Sequence, residues 1–198
     1  EEAQGPYEIY EGEFSLPEPG LFFYFFRITT QNESFKLLRQ GGEDTNMEMG
    51  DRWQLSCVPA DFETPDWAKG AVMYQVFPDR FAKLGDSDLT GKLEPYTVHK
   101  SWNEEVCWQP TSEGIVLNND FFGGNFQGIT NKMDYIASFG VKILYLNPIS
   151  KAFSSHRYDT FDYKTPDPML GTEKDFATLC EAAHQKGIRV VLDGVYSH

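Results

Sequence analysis

Between residues 71 and 198 one pattern occurs twice, and it restricts the fold more than any other feature. Ala71-Val72-Met73-Tyr74-Gln75-Val76-Phe77 is an apolar run of buried-strand length, ended by Pro78. Met133, Ile136, Ala137 and Gly140 then stand at i, i+3, i+4 and i+7. That spacing predicts a helix over 130–139, stopped by Gly140, with a strand over 141–146 starting at once. The unit recurs. Thr172 with Asp175 predicts a capping box, and Phe176, Leu179, Cys180 and Ala183 form one apolar face. Gly187 falls at the C′ position, where a left-handed residue is wanted, and 188–192 reads as the next strand. Strands alternating with helices predict a parallel α/β sheet. Such a chain folds as a doubly wound open sheet or as an eight-stranded barrel. No G-x-G-x-x-G follows the first strand, because Gly123, Gly124 and Gly128 come after a long loop. Dinucleotide binding loses its main support, while barrel and open sheet stay unresolved by periodicity.

Residues 1–60 read as all-β instead. Residues 7–14 alternate loosely, 21–26 form an aromatic run behind the Pro17-Glu18-Pro19-Gly20 turn, and 53–58 supply a further strand. Residues 40–46 are a loop by composition. These strands are too few for a complete immunoglobulin-like sandwich, which takes about 100 residues. The expectation is a partial β-sandwich module over 1–60, a linker over 61–70 containing Pro65, and an α/β region over 71–198.

Composition excludes several classes. A net charge of −13 argues against nucleic acid, whose phosphates need Lys and Arg to displace their counterions. With 40% hydrophobic residues and 15% aromatics the chain has ample surface to bury, so disorder is excluded. No apolar run approaches the ~20 residues that span a bilayer, and no signal-peptide pattern is visible, so no membrane partner is expected. A soluble protein is predicted, its compartment left open between cytoplasm and secretion. Cys57, Cys107 and Cys180 are widely spaced, without the CxxC spacing of a metal site.

In parallel α/β folds, chemistry gathers where strands end. Those ends are Pro78-Asp79-Arg80-Phe81, Asn147-Pro148-Ile149 and Asp193-Gly194-Val195-Tyr196-Ser197-His198. The intervening loops collect Trp102, Trp108, Phe121, Phe122, Phe153, His156, Tyr158 and Tyr163. Aromatic faces beside carboxylates and amides suit sugars, yet composition alone ranks plain loop packing ahead.

Motifs reverse that ranking. Val72-Met73-Tyr74-Gln75-Val76-Phe77-Pro78-Asp79-Arg80-Phe81 resembles the first barrel strand of the α-amylase family of glycoside hydrolases. Phe121-Phe122-Gly123-Gly124-Asn125-Phe126-Gln127-Gly128-Ile129 is similar to its F-x-G-G-D-L-x-G-I signature. Leu146-Asn147-Pro148-Ile149, His156-Arg157-Tyr158-Asp159-Thr160-Phe161-Asp162-Tyr163 and Asp167-Pro168-Met169-Leu170-Gly171-Thr172 follow in the family's order. Asp193-Gly194-Val195-Tyr196-Ser197-His198 resembles its D-x-x-x-N-H region. Thr64-Pro65-Asp66-Trp67 is similar to the segment joining the β module in neopullulanase- and cyclomaltodextrinase-like members.

The resemblance implies the first three strands of a (β/α)8 TIM barrel behind a partial immunoglobulin-like, carbohydrate-binding-like module. It implies retaining hydrolysis of α-1,4 glucosidic bonds, with α-1,6 bonds as a second candidate, in starch, pullulan or maltodextrins. The catalytic aspartate and glutamate would follow His198, so this chain alone would be inactive. The alternative is a non-catalytic α-glucan-binding fragment. For substrate binding the resemblance points to Tyr158 as a stacking platform and His198 as a hydroxyl ligand. It makes Asp193 a carboxylate orienting a cleft arginine, and puts His156 at the pocket rim. It brings in Ca2+, with Asp86, Asp88 and Asn125 as candidate ligands, although Lys83 and Asn125 depart from the family's site. It also implies a homodimer through the N-terminal β module.

Overall fold

The computed structural model describes residues 9–42 and 44–196. The chain divides into two compact units, Glu1–Thr64 and Pro65–His198.

In the first unit, β1 (Gly20–Tyr24) and β5 (Trp53–Cys57) form an antiparallel pair, while β2 (Phe26–Thr29), β3 (Ser34–Gly41) and β4 (Asp44–Asn46) form an antiparallel sheet. The aromatic run is divided between β1 and β2 at Phe25. Tyr24 stacks on Trp53 with ring centroids 5.8 Å apart, and Phe26 meets the same indole edge-on at 5.3 Å. Two expectations fail here. Residues 9–14 form no strand, and the rest of the 7–14 segment lies outside the described residues. The 40–46 segment is not a plain loop, because β3 runs to Gly41 and β4 resumes at Asp44. Gly41 and Gly42, both at positive φ, make the reversal that composition reads as a loop. No described residue from 9 to 64 is fully buried, so this unit has strands but no closed core.

The second unit is built on a parallel sheet. β6 (Met73–Val76) is followed by a 3₁₀ turn at Pro78–Arg80, then by two short parallel strands, β7 (Thr97–Val98) and β8 (Asp120–Phe121). Helices α1 (Phe126–Asn131) and α2 (Met133–Ser138) lead to β9 (Ile143–Leu146). A small antiparallel pair, β10 (Ser150–Lys151) with β11 (Asp162–Pro166), precedes α3 (Glu173–Gln185) and β12 (Arg189–Leu192). The parallel order is β12-β9-β6, with Val76, Leu146 and Leu192 in one register row. Ile143, Leu144 and Leu146 of the central strand are buried, whereas Met73 and Leu192 on the flanking strands are about half exposed.

The first crossover helix differs from its sequence reading. It starts at Phe126 rather than at residue 130, and it breaks at Lys132 (φ −99°, ψ 10°). Gly128 looks like a helix breaker by composition. It lies inside the helix nonetheless, and it is glycine because a Cβ there would fall 2.1 Å from the Ala82 carbonyl oxygen, so no larger residue fits. The second crossover follows its signals closely. Thr172 and Asp175 make both halves of the capping box. At the other end Gly187 (φ 70°) donates to His184 O and Ile188 to Ala183 O, both at 2.9 Å. That is the Schellman pattern, with Ala183 and Ile188 both buried beside it. Leu179 and Ala183 pack into a core with Phe126, Ile129, Ile136, Leu144 and Leu146.

Candidate functional site

The three parallel strands end level with one another, and their last residues form one polar chain. Gln75 Nε2 donates to Asn147 Oδ1 at 2.8 Å, and Asn147 Nδ2 donates to the Tyr158 hydroxyl at 3.2 Å. Tyr158 in turn donates to Asp193 Oδ2 at 2.8 Å. The ladder carries these ends into place: Asn147 N–H reaches Val76 O, and Asp193 N–H reaches Leu146 O, each at 3.0 Å. Asp193 holds the tyrosines around it in their neutral form. Its hydrogen bond, then burial, push Tyr158 up to about 12. Burial, then the same carboxylate, raise Tyr145.

Tyr158 arrives on a loop anchored from beneath. Its neighbour Arg157 is completely buried, with Nη1 donating to Ser155 O at 2.8 Å and Nε lying 3.2 Å from Asp167 Oδ2. Lys92 reaches the same carboxylate at 2.5 Å and the Ala152 carbonyl at 2.7 Å. His156 sits beside the platform, its ring 5.7 Å from that of Tyr158. Its Nδ1 accepts the Tyr158 N–H at 3.0 Å, so in the neutral ring Nε2 carries the proton and can donate.

Tyr158 and Asp193, expected from sequence, are thus in direct contact, and His156 adjoins them. His198 lies outside the described residues. Asn147 and Gln75 fall within the motif segments above without a role of their own, and nothing local marks them as parts of the network.

A second set of contacts fixes the first strand end. Asp79 is fully buried and accepts Phe122 N–H and Gly123 N–H, each at 3.1 Å. A Cβ on Gly124 would fall 2.0 Å from Pro78 O, which explains glycine where that backbone crosses so closely. Phe121 and Phe122 are buried packing residues, as the composition reading favoured for loop aromatics.

Asp86, Asp88 and Asn125 line one cavity of about 250 Å³. Asn125 Oδ1 accepts Gly128 N–H at 2.8 Å and Leu84 N–H at 3.2 Å, while Nδ2 donates to Leu84 O at 2.8 Å. Its amide is therefore occupied as a helix cap and loop clip. Asp88 accepts Thr90 N–H at 2.9 Å, and hydrogen bonds from Thr90 hold its carboxyl below the usual value. Lys83 Nζ lies beside Gly123, only 3.2 Å from where a Cβ there would sit. With the Asn125 amide saturated, only the Asp86 and Asp88 carboxylates remain of the three expected ligands, a poor fit to calcium, which takes 6–8 oxygens.

The geometry can bind and orient, and its chemistry favours a polyhydroxylated ring. The Tyr158 hydroxyl is spent on Asn147 and Asp193, so what this half-buried residue can still offer a ligand is its ring, with His156 beside it. Asp193 is an engaged acceptor, and among the described residues no second carboxylate is seen to face it.

Comparison with known proteins gives a family match and several relatives. The family model described as alpha amylase, catalytic domain, matches residues 75–198. The amylopullulanase of Thermoanaerobacter thermohydrosulfuricus is 38% identical over 98% of this chain and 14% of its own length. The intracellular maltogenic amylase of Bacillus subtilis is 42% identical over 69% of this chain and 21% of its own. Among solved structures, the type III pullulan hydrolase from Thermococcus kodakarensis is 30% identical with a TM-score of 0.55, covering 89% of this chain and 30% of that one. The chain thus spans only 14% and 21% of these two curated relatives.

Proposed function

This chain belongs to the α-amylase family, and we propose that its parent protein hydrolyses α-1,4 and α-1,6 glucosidic bonds of starch, pullulan or maltodextrins. Residues 71–198 then form the first three strands of a (β/α)8 barrel, residues 61–70 a linker, and residues 1–60 part of an immunoglobulin-like, carbohydrate-binding-like module. The network joining Gln75, Asn147, Tyr158 and Asp193 across three strand ends carries the reading. In a barrel, that face is where substrate sits.

Tyr158 offers its ring to the hydrophobic face of a glucose unit, and His156 and His198 donate to hydroxyls. Asp193, already accepting from Tyr158, orients rather than attacks. Its charge suits an arginine brought by a later strand. Retaining cleavage needs two carboxylates about 5–5.5 Å apart. One attacks the anomeric carbon while the other protonates the departing oxygen; water, giving its proton back to that second residue, then attacks the same carbon and frees the first carboxylate. We assign both to parts of the parent outside this chain, whose own share is positioning glucan. A homodimer through the β module would cover its exposed Phe23 and Phe26.

The test is digestion of starch, pullulan and maltooligosaccharides by the parent protein, with proton NMR of the first product. Release of the α-anomer supports the reading. Binding of glucan with no bond broken would instead make this a non-catalytic glucan-binding segment.

A further inference from the structure

The structure assigns a second ligand site, distinct from the strand-end network: His99, Cys107 and Asp120 form a three-residue site for a divalent, borderline-soft metal ion such as Zn2+. Their ligand atoms all lie within 4.8 Å of one another. In a tetrahedral zinc site, bonds of about 2.0–2.3 Å put neighbouring ligand atoms roughly 3.3–3.8 Å apart. His99 Nε2 and Asp120 Oδ2 already stand 3.1 Å apart, so only modest movement is needed.

The fold fixes two of the three ligands. Asp120 is on β8, and His99 directly follows β7, where its N–H continues the ladder to Phe121 O at 2.8 Å. Both side chains are buried, while Cys107 is exposed. Cys107 is tethered by its own backbone, whose N–H donates to Asp120 Oδ2 at 3.1 Å.

The surroundings resemble the outer shell of a metal site more than a simple ion pair. His99 Nδ1 faces Glu104 Oε2 at 3.1 Å. The other Glu104 oxygen is held by Lys100 N–H at 3.1 Å and Ser101 N–H at 2.9 Å. A carboxylate on the far nitrogen fixes the tautomer that presents Nε2 to a metal. The ring is also clamped face to face on Phe122, with centroids 4.1 Å apart. Arg80 Nη2 engages Asp120 Oδ1 at 3.1 Å and leaves Oδ2 toward the cluster.

Thiolate and carboxylate together neutralise a divalent ion. Three protein ligands leave a fourth position to water, and the exposed cysteine keeps it accessible. The bound ion staples the loop after His99 to Asp120, 21 positions along the chain. Sulfur, nitrogen and a single carboxylate suit zinc and exclude calcium as the preferred ion.

The test uses the parent protein after chelation, titrated with Co2+ as a spectroscopic probe and with Zn2+ by calorimetry. One ion per chain should bind, with near-ultraviolet thiolate-to-cobalt absorption and tetrahedral visible bands. Cys107→Ser should abolish the thiolate band, whereas Cys180→Ser should keep it. Glu104→Gln should weaken Zn2+ binding about 10- to 100-fold, the effect expected of an outer-shell partner. Cys107 is exposed, so its serine variant should fold normally, which melting temperature verifies. Absence of the thiolate band in the wild type, or its survival in Cys107→Ser, would overturn the assignment.

Discussion

Replacing Asp79 with asparagine should loosen the turn after β8 by an amount the geometry sets. The carboxylate is completely buried and accepts two backbone donors, Phe122 N–H and Gly123 N–H, each at 3.1 Å. Arg80 Nε lies 2.9 Å away but is poorly aligned to donate. It also pairs with Asp120 through Nη2, so its charge is not left without a partner, and any loss of its attraction to Asp79 comes on top of the hydrogen-bond cost. An asparagine keeps the shape but turns an NH2 group toward one of the two donors. One buried N–H is then stranded, at a cost of about 1–3 kcal/mol. That corresponds to roughly 5- to 150-fold faster exchange if the same opening exposes the amide. Asp79→Ala strands both donors and should cost about twice as much. The assay is native-state hydrogen exchange of the Phe122 and Gly123 amides in the parent protein. It reads the segment directly and avoids a two-state fit to a multidomain chain. Asp66→Asn is the control, because that carboxylate is 95% exposed and pairs only with Lys69 on the surface. Unchanged protection at Phe122 and Gly123 in Asp79→Asn would refute the clamp.

Three further outcomes are expected. Tyr158 ionises only near 12 when folded, against 10.0 ordinarily, so its stabilising contribution is complete below pH 10 and lost as pH rises from about 10 to 12. Alkaline melting curves should therefore fall less steeply over that window in Tyr158→Phe, and identical slopes would contradict the Asp193 bond. Gly128→Ala, whose Cβ would lie 2.1 Å from Ala82 O, should disrupt the start of α1 and cut soluble yield or melting temperature sharply. Added calcium should shift the parent's melting temperature equally in wild type and in an Asp86→Asn, Asp88→Asn double variant; a smaller shift in the variant would place calcium there after all.

The second α/β repeat was legible because its signals are local. Thr172, Asp175 and Gly187 each act within one helical turn, and the helix obeys them. The first repeat was less legible because its boundaries are tertiary. Gly128 reads as a breaker, yet it is glycine on account of Ala82, from another segment, and spacing cannot announce that. In the β unit, the 40–46 segment hid a hairpin because its strand residues are polar and its turn glycines dominate the composition. The site divides the same way. Tyr158 and Asp193 were marked by motif, while the Asn147 and Gln75 links exist only once strands 70 residues apart lie side by side. His99, Cys107 and Asp120 have no metal-site spacing, and the β7-β8 pairing brings them together.

One measurement bears most directly on the proposal that these strand ends hold glucan: maltooligosaccharide kinetics of the parent protein carrying Tyr158→Phe and Tyr158→Ala. Phenylalanine keeps the ring and loses only the hydroxyl, so kcat/KM should fall by no more than about tenfold, the worth of one partly exposed hydrogen bond. Alanine removes the platform as well, and the loss should be at least another order of magnitude, as expected for an aromatic contact and its buried area. Equal effects of the two variants, or wild-type kinetics in Tyr158→Ala, would contradict a stacking role and remove Tyr158 from the glucan site.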